Sequence, residues 1–243
     1  MRYRALATDY DGTLAKDGHV DEPTLAALER LRASGRLLIL VTGRELDELW
    51  TVCPRTGMFD MVVAENGAVV FRPSSRQETR LADPPPQALI ASLRRRGVDP
   101  ISVGRVIIAT WAVHQAAVQG AVTELGLNWQ LILNKRSLMV LPPGVDKATG
   151  LTAALSELGV SARETVAVGD AENDRAFLSL CGYSVAVANA LPLIRGCVNL
   201  VTAGDHGQGV IELVDRILAE DKERPATTRA RSKGWWAMRG ATS

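Results

Sequence analysis

Cysteine is scarce: the chain of 243 residues carries three. Cys53, Cys181 and Cys197 are widely separated, odd in number and without a CxxC pair, which fits a reducing compartment better than a disulfide framework. All three are expected as buried thiols. An excess of one charge is lacking too. With 28 Lys and Arg against 27 Asp and Glu, the net charge of +1 gives no global field toward nucleic acid or an anionic membrane, so neither is expected as a partner. Any anion selectivity must be local. The opening stretch, MRYRALATDYDGT, reaches charged residues too soon for a signal peptide or a membrane span, and a cytoplasmic location is expected.

Apolar residues are plentiful, at 47%, enough for one large core or for a core domain carrying a smaller one. Residues 3–8 form a short apolar run that ends in an Asp/Gly turn cluster, the pattern of a buried strand. From 22 to 34, Leu25, Leu28 and Leu31 recur at helical spacing, with Pro23 suited to the first turn and Gly35 to the stop. The run 36–41 (RLLILV) is a second strand, ending in Thr42-Gly43-Arg44; a helix over 45–52 and a strand over 61–64 follow, the latter ending in Glu65-Asn66-Gly67. Strands alternating with helices predict a parallel sheet covered on both faces. The polar clusters fall at the strand ends, where such sheets bind ligands.

Between about 79 and 143 the pattern changes, with Asp83-Pro84-Pro85-Pro86 at one edge and Pro142-Pro143-Gly144 at the other. Proline-rich edges suggest a domain boundary. Inside, a helix over 87–96, an extended pair over 101–110 turning at Gly104, a helix over 112–125 and a hairpin of 128–133 with 137–141 predict a small sheet with helices on one face. The parallel alternation then resumes with a helix at 147–158, a strand at 165–168 leading into Gly169-Asp170, a helix at 175–180, a strand at 183–187 and a helix at 209–221. The expected class is α/β. A Rossmann-like parallel-sheet core spans 1–80 and 143–221, and 81–142 is an inserted α+β cap. Residues 222–243 are polar and lack an apolar period, so that tail is expected to be mobile. Its Trp235-Trp236 pair has no assigned role.

The most informative stretch is Asp9-Tyr10-Asp11-Gly12-Thr13, directly after the first strand. In extended backbone, carboxylates two apart point the same way, so one can attack an electrophile while the other donates a proton to the leaving group. Gly12 allows a sharp turn. Alone, the pentapeptide could also be an acidic turn, and Lys147 alone would be a solvated lysine at a helix start.

Taken together the segments resemble the haloacid dehalogenase (HAD) superfamily, whose first motif is DxDGT and whose other motifs follow in order: Thr42 with Gly43, Lys147, and Gly169-Asp170-Ala171-Glu172-Asn173-Asp174. The resemblance implies Asp9 as nucleophile and Asp11 as acid and base. Thr42 and Gly43 would hold phosphoryl oxygens, and Lys147 would neutralise nucleophile and phosphate. Asp9, Asp11 and Asp170 would converge and require a cation, Mg2+ by its preference for oxygen. Its implied ligands are the Asp9 and Asp170 carboxylates and the Asp11 main-chain carbonyl. Asn173 and Asp174 would orient water or Lys147, or supply a ligand. Glu172 is read as solvent-facing.

The position of the insert and the segment Glu65-Asn66-Gly67-Ala68 are similar to subclass IIB, the Cof-like group, whose members include phosphoglycolate and sucrose-phosphate phosphatases. The implied activity is Mg-dependent hydrolysis of a small phosphorylated metabolite through an aspartyl-phosphate, by a monomer or homodimer. A phosphosugar mutase and a non-catalytic protein on the same fold are the alternatives, and the intact carboxylates and lysine favour catalysis. Arg44, Glu65 and Asn66, with Arg105, His114, Lys135 and Arg136 of the cap, are candidates for choosing the leaving group. Singly, each cap residue reads better as a surface charge, as does His19. Ala171 and Ala148 stand where relatives often carry glycine.

Overall fold

The computed structural model describes residues 3–134 and 136–223. Lys135, the segment 224–243 and the Trp235-Trp236 pair lie outside the described residues. Along the chain come β1 (Ala5–Asp9), α1 (Glu22–Ala33), β2 (Leu37–Val41), α2 (Leu46–Val52), β3 (Met61–Ala64), β4 (Val69–Arg72) and β5 (Gln77–Arg80). A second group follows: α3 (Gln87–Arg95), β6 (Ser102–Val103), β7 (Ile108–Trp111), α4 (Gln115–Glu124), β8 (Gln130–Asn134) and β9 (Ser137–Leu141). The chain returns with α5 (Lys147–Leu158), β10 (Thr165–Gly169), α6 (Arg175–Leu180), β11 (Tyr183–Ala186), α7 (Pro192–Arg195), β12 (Leu200–Val201) and α8 (His206–Glu223).

The large sheet has the order β12-β11-β10-β1-β2-β3-β4-β5. It is parallel from β12 to β3. β1 is buried along its whole length, as a strand with helices on both faces must be. Pairing fixes the site: Thr8 lies opposite Val168 and Asp9 opposite Val41. The residues that follow β2 and β10 therefore emerge beside Asp9 on one edge. Local signals set the helices around this sheet. Asp21 caps α1 by accepting from the Thr24 N–H at 2.9 Å, Leu25, Leu28 and Leu31 turn inward, and Gly35 with φ of 86° ends the turn.

The small sheet is antiparallel, β6-β7-β9-β8. α3 and α4 cover one face, where Leu89, Leu93, Val118 and Val122 pack on Ile108, Leu138 and Val140. Strand alternation sends Met139 and Leu141 the other way, into the main core. The uncovered face of the cap sheet is thereby turned toward the strand ends of the large sheet.

The structure departs from the sequence-based expectations in several places. The large sheet does not stop at β3: β4 and β5 extend it as an antiparallel hairpin. The second cap helix opens with a 3-10 turn, Ala112–His114, and α8 begins at His206, ahead of Gly209. Of the cysteines only Cys53 is buried; Cys181 is half-buried and Cys197 exposed, all three as free thiols. Among the described residues no helix is long and apolar enough to cross a membrane.

Candidate active site

Asp9 ends β1, and Lys147 is the first residue of α5. What brings them together is close packing behind the site. A Cβ at Gly67 would stand 1.8 Å from the Asp146 carbonyl oxygen, and one at Gly150 would stand 2.5 Å from Val63 Cγ1. Both positions must lack a side chain for α5 to seat against β3. Asp146 caps that helix in a reciprocal pair with Thr149, which fixes the backbone from which Lys147 projects.

Lys147 is 1% exposed. Its Nζ donates to Asp9 Oδ1 at 2.6 Å and to Asp174 Oδ1 at 2.5 Å. Asp174 is held in turn: its Oδ2 accepts the Asp170 and Ala171 N–H groups at 2.8 and 2.9 Å. Asp170 Oδ1 accepts from the Thr13 hydroxyl at 2.9 Å. Burial raises Asp9 well above the usual carboxylate range, and the Asp174 and Asp170 charges add to this against the opposing pull of Lys147. For Lys147 burial acts to lower the pKa, but Asp174 and Asp9 outweigh it, so the ammonium form is favoured.

The carboxylates that meet are Asp9, Asp170 and Asp174, each offering an oxygen within 4.8 Å of the others. The expected convergence of Asp9, Asp11 and Asp170 thus takes a different form. The Asp11 carboxylate is gripped by Arg44 instead, with Nε to Oδ2 at 2.6 Å and a second N–H to Oδ1 at 2.8 Å. Arg44 also pairs with Glu48 and lies over the Tyr10 ring, and its hydrogen bonds to Asp11 raise its pKa further. Three buried carboxylates against one buried ammonium leave negative charge uncompensated, and hard oxygen donors of this kind suit a divalent cation such as Mg2+.

A cavity of about 360 Å³ opens above Asp9 and Asp11, with Gly43 and Arg44 on one wall. Ala109, Arg136, Ser137 and Met139 of the cap form its roof. Thr42 is buried beside it, its hydroxyl accepting the Arg44 N–H at 3.1 Å. Asn66 and Asn173 are joined to each other, Nδ2 of Asn173 donating to Oδ1 of Asn66 at 3.0 Å.

Other candidates sit elsewhere. Glu65 is buried with its carboxylate against the cap main chain. Arg105 grips Asp47 with two N–H groups at 2.9 and 3.0 Å and Glu78 with a third at 2.9 Å. His114 contacts the Asp99 carbonyl at 2.8 Å, His19 is exposed, and Glu172 faces solvent. Sequence reasoning missed Thr13, Ser137 and Met139. Thr13 stood inside the quoted motif without a role, and the period of two in β9 already separates Ser137 and Met139 from the helix-facing Leu138 and Val140.

Charged chemistry gathered on the carboxyl edge of a parallel sheet, beneath an α+β unit, marks the class as capped α/β proteins with a ligand site at the strand ends. The chain belongs to the haloacid dehalogenase-like hydrolases, whose family model matches residues 6–93 and 131–214. It is 31% identical over 223 residues to a phosphoglycolate phosphatase of Methanothermobacter thermautotrophicus, covering 88% of this chain and 99% of that one. With a phosphoglycolate phosphatase of Haloarcula marismortui the identity is 32% over 219 residues, covering 86% and 95%. The fold is also that of a HAD subclass IIB sugar phosphatase, with TM-score 0.71, 18% identity and coverage of 88% and 98%. With its family and these relatives in agreement, the chain is a phosphatase.

Proposed function

We propose that the protein hydrolyses a small phosphate monoester by nucleophilic attack of Asp9, with a phosphorylated two-carbon acid of the phosphoglycolate type as the substrate class. The observation that carries this reading is the buried Asp9–Lys147–Asp174 arrangement opening into a cavity walled by Arg44 and Arg136. Lys147 offsets the charge of Asp9, so an anionic ester can approach an anionic nucleophile. Asp9 forms a bond to phosphorus as the ester P–O bond breaks, and Asp11 gives its proton to the departing alkoxide. Asp11 then takes a proton from water as that water attacks phosphorus, which frees phosphate and restores Asp9. The acid role requires Arg44 to hand one Asp11 oxygen to the leaving group. Thr42 and Gly43 orient the phosphoryl oxygens.

The Asp9 and Asp170 carboxylates, with the Asp11 main-chain carbonyl, would hold Mg2+, which supplies charge stabilisation to the phosphoryl group when bound. Asp174 is committed to Lys147 and to two amides, so we assign it the support of Lys147. Among the described cap residues Arg136 lines the cavity as a cation, across from Arg44, Glu45 and Glu48, and we assign it the carboxylate of the leaving group. The relatives named for phosphoglycolate support this choice.

The test is phosphate release from phosphoglycolate, hexose phosphates and nucleotides, with and without Mg2+, using Asp9→Asn as the blank. Selective Mg-dependent release, reduced on the order of a thousandfold or more in Asp9→Asn, is expected. Transfer of phosphate between positions of a sugar, without release, would favour a mutase instead. Arg136→Ala is expected to raise KM for the carboxylated ester about tenfold, the loss of one charge-assisted contact, with a smaller effect on a neutral leaving group.

A further inference from the structure

Glu65 and Gly104 belong to different halves of the molecule and touch. Glu65 closes β3 in the core, immediately beside the site: its N–H donates to the Arg44 carbonyl at 2.9 Å, and the next N–H, that of Asn66, donates to the Thr42 carbonyl at 3.0 Å. Its carboxylate leaves the core and enters the turn between β6 and β7 of the cap. There Oε1 accepts the Arg105 N–H at 2.8 Å, while Oε2 accepts the Val106 and Ile107 N–H groups at 2.9 and 3.2 Å. Three converging main-chain donors suit an acceptor-only group, and both oxygens are used. Glu65 is fully buried and held at a positive φ of 52°, a conformation that costs energy in a residue other than glycine. On the cap side the fit leaves no slack: a Cβ at Gly104 would lie 2.7 Å from Glu65 Oε2. The same turn leads directly into β7, whose Ala109 roofs the cavity. The chain joins cap to core through the segments 81–86 and 142–146, and this contact, together with the Arg105 pairs to Asp47 and Glu78, ties them again on another side of the site.

We infer that Glu65 is a positioning residue, a clasp from the floor of the active site to the cap turn 104–107 that sets the height of the roof over the leaving group. It rests on the phosphatase reading for its kinetic consequence but not for its structural one. Glu65 does not line the cavity and meets no substrate. Its effect passes through β7, and Arg105 supports it by pinning the same turn to Asp47 and Glu78. Esters whose leaving group reaches the roof depend on the clasp, whereas a minimal phosphoryl donor that engages the core alone does not.

Two substitutions release the clasp from opposite sides. Glu65→Gln keeps the size of the side chain but turns an NH2 group toward N–H donors, so one side of the contact becomes donor against donor. Gly104→Ala leaves Glu65 intact and displaces its carboxylate; Gly104 lies outside the positive-φ glycines, so the added methyl meets the clasp and not a backbone prohibition. In each variant KM for phosphoglycolate is expected to rise about tenfold, while turnover of acetyl phosphate stays within about twofold, the split expected for lost positioning of the leaving group. Gly104→Ala in a Glu65→Ala background is expected to add nothing, because the two changes act on one contact. Hydrogen exchange reads the clasp without activity: the amides of Arg105, Val106 and Ile107 are protected in the parent protein and lose that protection in Glu65→Gln and Gly104→Ala. Unchanged protection in both variants would overturn the clasp. Lost protection with equal losses on both phosphoryl donors would overturn its positioning role, and protection behaving as expected in a parent protein that releases no phosphate would sink the phosphatase reading alone.

Discussion

Asp9 is under opposing demands. The proposed attack on phosphorus requires a free carboxylate, yet burial and the neighbouring Asp174 and Asp170 hold its pKa well above its ordinary value of 3.8, against the opposing pull of Lys147. Folded chain therefore binds this proton more tightly than unfolded chain does. The associated stability is fully present below pH 3.8 and is lost as pH rises through the raised folded value. Asp9→Asn is expected to melt higher than the parent protein in the absence of metal. The difference should widen with pH above the ordinary carboxylate range and then level off, as thermal melts across pH would show. Lys147 is the converse case. Lys147→Met leaves buried carboxylates without their cation and is expected to cost about 3–5 kcal/mol in denaturant unfolding. At the cysteines, burial pushes Cys181 to about 12, and Cys53 is buried. A thiol reagent at neutral pH should label Cys197 first, and the other two only on unfolding. The paired carboxylates after the first strand drew attention to Asp9 in the sequence, and the family resemblance singled out Lys147 and Asp170. The Asp11–Arg44 pair and the Glu65 contact were not legible there, because each depends on how a side chain turns between segments distant along the chain.

At the scale of elements, β1, β2, β3, β10 and β11 were legible because an apolar run buried on both faces contrasts sharply with the turn residues around it, whereas the four-residue α7 and the two-residue edge strand β12 were not read from the sequence. Nor was the β4–β5 hairpin. β5 reads Gln77-Glu78-Thr79-Arg80 and lies at the sheet edge with none of these residues buried, so no hydrophobic period announces it. The cap was read from its proline-rich borders as a small sheet with helices on one face, while the residues of β9 on its other face, Ser137 and Met139, were not picked out. The seat of α5 sets where Lys147 stands. Gly150→Ala would press a methyl against Val63 and Gly67 and displace the helix that carries Lys147. A stability loss of about 1–3 kcal/mol is expected, together with a fall in kcat in steady-state assays, whereas Ala153→Gly on the same helix should lower stability with little effect on kcat.

Among the described residues the large sheet and the small sheet face each other across the cavity above Asp9, the first supplying its charged groups and the second its roof. The carboxylates of Asp9, Asp170 and Asp174 come together only in the folded chain, so a divalent cation held by this group would stabilise the fold. Saturating Mg2+ should raise the melting temperature by several degrees, corresponding to about 3 kcal/mol at a hundredfold excess over Kd, and Asp170→Asn should reduce that shift. The central claim is that the phosphoryl group passes through Asp9. It is tested most directly in Asp11→Asn given acetyl phosphate and Mg2+, then quenched and digested for mass spectrometry. The leaving group of this donor needs no acid, while hydrolysis of the acyl phosphate lacks its base, so the phosphoryl group should accumulate on the peptide containing Asp9. Phosphate released with no protein-bound phosphoryl group, or a phosphoryl group found on another residue, would contradict the account.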